Sequence, residues 1–172
     1  SDDSGYEFFE VESAGEAKET LISIVKNASS AGEEYADPYS CQVITPANIW
    51  EMGTKSLNKM FREALNPFDI DKAEIVHGDT VYRIGDKVMQ IKNDYTIEWK
   101  SRGGDKGRGV FNGDMGIIVG VDEVKREVIV EFDSERIVVY DISNLDELKA
   151  AFAISVHKSQ GSEFDTVVLP LF

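Results

Sequence analysis

The sequence is poor in the residues that build covalent or metal frameworks. It has one cysteine, Cys41, and two histidines, His77 and His157. A lone cysteine excludes a disulfide within the chain and suits a reducing, cytoplasmic compartment. Its plain role is that of a small buried strand residue. These few residues give no metal-ligand spacing, and no G-x-S-x-G supports a hydrolytic triad. No apolar run reaches the roughly 18 residues of a membrane span, so no membrane is expected as a partner. The start, SDDSGYEFF, has no Met and no basic-then-apolar leader, and reads as a cut or processed end. No G-x-x-x-x-G-K-[ST] occurs, so the chain has no phosphate-cradling P-loop. Bases are scarce as well, and a net charge of −14 argues against a general nucleic-acid coat.

The charge that is present is uneven. Residues 1–40 hold ten acids and two bases, or −8. Residues 83–110 hold seven bases (Arg83, Lys87, Lys92, Lys100, Arg102, Lys106, Arg108) and four acids (Asp86, Asp94, Glu98, Asp105), or +3. An acidic body thus carries one locally basic stretch. Its plain reading is a solvated loop, and it points to nucleic acid only with other support.

At 172 residues, 42% of them hydrophobic, the chain can bury a real core. Residues 6–11, YEFFEV, read as a strand. Ser13 and Glu16 form a capping box. Ala14, Ala17, Leu21, Ile24, Val25 and Ala28 then recur at helical spacing. After a polar break, Gln42-Val43-Ile44 reads as a short buried strand stopped by Thr45-Pro46. Leu57, Met60, Phe61, Ala64 and Leu65 mark a second amphipathic helix, ended by Asn66-Pro67. Strand, helix, strand, helix implies α/β layering.

The texture changes near residue 74. Residues 81–140 are short Val- and Ile-rich runs broken by Gly85, by SRGGDKGRG, by Asn112-Gly113 and by Gly116. Asn112-Gly113 is a tight-turn signal. EVIVEFD and IVVY alternate like antiparallel strands, so a small β-barrel is expected. The glycine-rich stretch reads as a long, mobile loop. Lys87 reads as a solvated strand residue, and Trp50 and Trp99 as packing residues. Residues 145–152 read as a short helix or connector, and TVVL, from Thr166, as a buried strand.

One cluster lies between apolar runs: VHKSQGSEF, residues 156–164. Its residues suit an exposed loop or a helix start. Lys158 can place a charge on a phosphate, and His157, Ser159 and Gln160 offer hydrogen bonds to backbone oxygens or sugars. Gly161 permits a positive φ or close approach. Glu163 can accept a ribose hydroxyl. The plain alternative is a helix cap with solvated side chains.

Together these segments resemble the RecD-like and TraA-like branch of superfamily 1 DNA helicases. AFAISVHKSQGSEFDTVVLPL looks like that branch's motif V. Residues 41–46, Gly53, Leu57-Asn58 and residues 64–67 resemble its motif IV region. Residues 83–95 and 110–116 look like the SH3-like barrel inserted in its second RecA-like domain. The implied fold is α/β: a partial RecA-like (P-loop NTPase-type) domain over residues 1–78 and 143–172, interrupted by an SH3-like β-barrel at 79–142.

The resemblance also implies roles. His157, Lys158, Ser159 and Gln160 would face single-stranded DNA, and Gly161 and Glu163 would lie toward ATP. The barrel would close over the strand with Lys92, Asn93 and Tyr95, while Asn112 shapes its turn. The plain roles of Tyr95 and Asn93 are a barrel residue and a turn cap. The parent would be an ATP- and Mg2+-dependent 5′-to-3′ DNA helicase of repair or recombination. Its partners would be single-stranded DNA, a first RecA-like domain and recombination-complex subunits. Motifs I to III and the motif VI arginine would lie outside these residues, and the chain alone is expected to be inactive, with no Mg2+ ligands and no other metal site. Residues 47–49 lack the base that many relatives carry there. The competing readings are the helicase half of a conjugative relaxase and a non-enzymatic SH3-like binding module.

Overall fold

The computed structural model describes residues 5–30, 40–46 and 52–171. Expectations for Trp50, for residues 47–49 and for most of the polar break lie outside them. In chain order the elements are α1 (Ala14–Ser30), β1 (Cys41–Thr45), α2 (Thr54–Leu65), β2 (Glu74–His77), β3 (Thr80–Arg83) and β4 (Lys87–Gln90). There follow β5 (Asp94–Ser101), β6 (Lys106–Val110), β7 (Met115–Asp122), β8 (Glu127–Phe132) and β9 (Arg136–Tyr140). A 3-10 turn (Leu145–Glu147), β10 (Leu148–Ala150), β11 (Ala153–Ser155), α3 (Val156–Ser159) and β12 (Thr166–Val168) complete the described chain.

The first layer is a parallel sheet of order β11-β1-β12. All five residues of β1 are buried, the run expected of a central parallel strand. Ala17, Leu21 and Val25 of α1 and Leu57 and Phe61 of α2 pack against Cys41, Val43 and Ala153. Cys41 is buried, as its composition class predicts. The capping box forms in part: the Glu16 amide donates to Ser13 Oγ (3.2 Å), while Glu16 Oε2 accepts from the Glu12 amide (2.8 Å). Gln42 is the polar residue on the central strand, and its Nε2 donates to the carbonyls of Ala151 and Phe152, both at 3.2 Å.

The second layer is an antiparallel sheet of order β10-β4-β7-β8-β9-β5-β6, beside the β2–β3 hairpin. Along β8 buried and half-buried residues alternate, and Val128, Val130 and Phe132 point into the barrel. Val110, Val138, Tyr140, Leu145 and Leu148 complete a core with no exposed surface at these positions.

Several sets of contacts join the layers. Ile44 and Ile154 from the parallel sheet share an apolar cluster with Met89 and Met115 of the barrel, with Ala151, and with Phe164. Each such buried side chain is worth roughly 1.5–3 kcal/mol over leaving it exposed. The Ala151 amide donates to the Lys87 carbonyl (2.8 Å). At the end of α2, Asn66 and Arg62 reach the buried carboxylate of Asp86.

Several expectations are corrected. Residues 6–11 form no strand, and Tyr6 and Phe8 are 81% and 90% exposed. Strand-forming side chains need a neighbouring row of backbone groups, and no described strand supplies one there. β12 is an edge strand, so its residues are exposed or half-exposed rather than buried. The glycine-rich stretch is not a long loop: β5 and β6 pair through Lys100↔Lys106 and Trp99↔Gly107. Trp99 packs against the barrel core, as expected. Residues 148–150 are a strand, because β4 offers them an antiparallel edge. Lys87 is buried, with Nζ donating to the Cys41 carbonyl (3.3 Å).

Candidate nucleic-acid interface

β11 delivers the VHKSQGSEF cluster to the edge of the parallel sheet. Ser155 ends the strand and caps α3, its Oγ accepting from the Lys158 amide (3.4 Å). The helix lasts one turn. Ser159 Oγ donates back to the Val156 carbonyl (2.8 Å), so that hydroxyl serves its own turn. Gly161 then takes φ 84°, a left-handed conformation that favours glycine. His157 and Gln160 are exposed.

Across the seam, the Asn112-Gly113 turn of the barrel meets this helix. The Asp114 amide donates to the Phe111 carbonyl (2.9 Å) and closes the Asn112-Gly113 turn, while Gly113, at φ 102°, donates its amide to the Gln90 carbonyl (2.9 Å). Asp114 Oδ2 accepts from the Phe111 amide (3.1 Å) and from Arg136 Nη2 (3.0 Å), which fixes the turn from inside. Arg136 also pairs with Asp133.

Four of the expected DNA residues join in one relay. Lys158 Nζ donates to Asn112 Oδ1 at 2.6 Å. The Asn112 amide donates to Asn93 Oδ1 at 2.9 Å, and Asn93 Nδ2 reaches Tyr95 Oη at 3.4 Å. Tyr95 is 68% exposed and meets Phe111 edge-on, with centroids 5.6 Å apart. Asn112 is a neutral acceptor, so this hydrogen bond sets the position of Lys158 without an ion pair.

Lys92 stands apart from this relay. Its ammonium pairs at 2.8 Å with Glu147, a carboxylate only 8% exposed, and this hydrogen bond raises the lysine's pKa. Glu147 Oε2 accepts from Gln90 Nε2 (2.8 Å), and Gln90 Oε1 accepts from Tyr140 Oη (2.8 Å). Burial, followed by the nearby Glu147 charge, pushes the Tyr140 hydroxyl up. The two lysines therefore differ: Lys92 is matched by a carboxylate, and among the described residues Lys158 is not.

Gly161 and Glu163 follow α3 in the chain. Glu163 and Ser162 face Gly113, Asp114, Asp133 and Ser134 across a cleft of about 440 Å3. Asp133 and Ser134 hold positive φ there, at 52° and 56°. The sequence alone gives no role to Phe111 or Glu147. Phe111 was legible as the aromatic before Asn112-Gly113, whereas Glu147 lies 57 positions from Gln90 and has no local signature.

Residues 57–132 match the family described as the ATP-dependent RecD-like DNA helicase SH3 domain. Over 135 residues, 78% of the chain, it is 31% identical to the ATP-dependent RecD2 DNA helicase of Deinococcus radiodurans, of which it covers 16%. Over 97 residues, 51% of the chain, it is 34% identical to an uncharacterized protein of Methanocaldococcus jannaschii, of which it covers 8%. The chain therefore spans a small part of these relatives. Among solved structures, the Pif1 helicase from Bacteroides in complex with ADP-AlF3 and ssDNA shares the fold. Its TM-score is 0.54 at 16% identity, over 90% of this chain and 39% of that one. A second Pif1 structure, described for DNA unwinding at forked dsDNA, gives 0.50 at 18% identity, over 87% and 36%. Residues 57–132 thus carry the SH3 domain of the RecD-like DNA helicases, and most of the chain is similar to part of a RecD2 helicase.

Proposed function

We propose that this chain is the strand-gripping part of an ATP-dependent DNA helicase that moves 5′ to 3′ on single-stranded DNA in repair or recombination. The observation that carries this reading is the relay from Lys158 through Asn112 and Asn93 to Tyr95. It lines up a cation for a phosphate, amides for sugar or backbone oxygens, and an exposed aromatic ring for a base. Such a set binds any sequence, which a translocating motor requires. The resemblance to RecD-like helicases supports the direction, and the Pif1 structure with ssDNA supports the class of ligand.

ATP and Mg2+ belong to this reading, but the residues in hand do not form their site. The sequence has no P-loop, and the described residues hold no His/Cys/Asp/Glu cluster suited to a metal. The cleft beside Glu163 also presents Asp114 and Asp133, which oppose a triphosphate. Gly161 and Glu163 are thus proposed to border a nucleotide held mainly by another domain of the same protein, and no nucleotide step is derived through them. The chain by itself is proposed not to hydrolyse ATP, and DNA-stimulated hydrolysis by it would overturn that.

The test is fluorescence anisotropy with a labelled oligothymidylate at low salt. Binding is expected, with log K falling linearly against log salt. Lys158→Ala should flatten that slope by about 0.7, the share of one phosphate contact. Tyr95→Ala should cost about 1–3 kcal/mol at every salt concentration. No binding at low salt would sink the proposal.

A further inference from the structure

The hairpin of β5 and β6 carries four bases on its outer positions, and they divide into two kinds. Arg102 pairs with Glu131 and Arg108 with Glu98, each at 2.7 Å. Lys100 and Lys106 are exposed, and among the described residues neither has an acidic partner. They sit directly opposite each other in the ladder. Directly opposite side chains have Cβ atoms only about 4.5–5.5 Å apart, and like charges so placed repel.

Edge protection explains half of this arrangement. β6 ends the sheet order, and a lysine there discourages a further strand. β5 is not an edge, since it pairs with both β6 and β9. Lys100 therefore has no such work, and the position opposite Lys106 would be served better by an acid. Glu98 one step along the same face shows that this hairpin accommodates one.

The hairpin also stands in a telling place. Asn93 lies just before β5, and Asn112 lies two residues after β6. Both legs leave from the cluster that holds Lys158. From Tyr95 to Lys100 the strand climbs about 17 Å, a span of several nucleotides of a single strand.

We propose that Lys100 and Lys106 form a phosphate fork that grips the nucleic-acid backbone several nucleotides beyond the Lys158 contact. This rests on the single-strand-binding reading above. A phosphodiester seated between the two ammonium groups would turn their repulsion into attraction.

The test uses the 172-residue chain, Lys100→Gln/Lys106→Gln, and oligothymidylates of about 5 and about 15 nucleotides. The long strand should bind the double variant about three- to tenfold more weakly, with a salt slope lower by about 0.7–1.4. The short strand should bind both proteins alike. The variant should melt no lower than the parent at low salt, since a repulsion has been removed. An unchanged long-strand slope, with Lys158→Ala still weakening both strands, overturns the fork and leaves the wider reading intact. A polyglutamate peptide displacing the long strand from the wild type but not from the double variant would assign the pair to an acidic protein partner and overturn it too. If the wild type binds neither strand, both proposals fail.

Discussion

Asn66, the last residue of the α2 cap, donates its side-chain amide to the carboxylate of Asp86 at 2.9 Å, and Asp86 is wholly buried. The same carboxylate accepts the Arg83 amide (3.1 Å) and faces Arg62 Nε at 3.0 Å. One acid thus ties the helix to the mouth of the barrel. Asp86→Ala leaves a half-covered guanidinium and a buried amide without their acceptor. It should cost about 3–5 kcal/mol, read as a lower urea midpoint. A change under 1 kcal/mol would mean water replaces the carboxylate.

A second clamp joins α2 to β11. Asn58 Nδ2 donates to the Ala153 carbonyl (2.7 Å), and Asn58 Oδ1 accepts the Ala153 amide (2.9 Å). With both backbone groups of Ala153 engaged, no further strand can pair at that residue. Asn58→Ala should destabilise by about 1–3 kcal/mol, because two backbone groups lose partners at once. Hydrogen exchange should show the Ala153 amide opening first, and protection equal to wild type would argue against the clamp.

Trp99 lies across Gly107, where an added Cβ would come within 2.3 Å of the indole ring. Gly107→Ala must push the ring away or spread the two strands. A loss of about 1–3 kcal/mol is expected from this overpacking, with a red-shifted Trp99 emission. Unchanged emission would show that the ladder gives way instead of the ring.

Tyr82 is buried, its hydroxyl donating to the Leu145 carbonyl (2.9 Å), and burial pushes its pKa up to about 12. In the unfolded chain the phenol ionises near its ordinary pKa of about 10. Above that pH the unfolded state loses a proton that the folded state keeps, so stability falls between about pH 10 and 12. Tyr82→Phe should flatten this alkaline limb in pH-dependent melts, although it loses about 1 kcal/mol at neutral pH with its hydrogen bond. An unaltered limb would assign the loss to other groups, Tyr140 first.

The features that were legible in the sequence are those with a local cause. Leu57 and Phe61, one helical turn apart, are fully buried, and Asn66 ends the helix by donating its amide to the Arg62 carbonyl. Gly113 adopts the positive φ that an Asn-Gly turn demands. Hidden features depend on which surfaces meet. Lys87 looked solvated because a lysine is rarely buried, yet Met89 of β4 packs against Ile44 and Ile154 of the parallel sheet and all four residues of β4 are buried. The relay at the site shows the same limit. Lys158 and Asn112 were each marked by type, but 46 positions separate them, and only the packed seam makes them partners.

The order of strands in the parallel sheet has a consequence during synthesis. β1 finds its two neighbours, β11 and β12, only after the whole barrel has been made. Half of the barrel sheet's six ladders are hairpins between consecutive strands, which close early and quickly. As the chain emerges from the ribosome, β1 must therefore wait unpaired while the barrel assembles, and β10 completes the barrel just before β11 arrives. The barrel then works as an internal spacer: it sets the moment at which the motif strand can dock and keeps the two halves of the sheet within reach of each other.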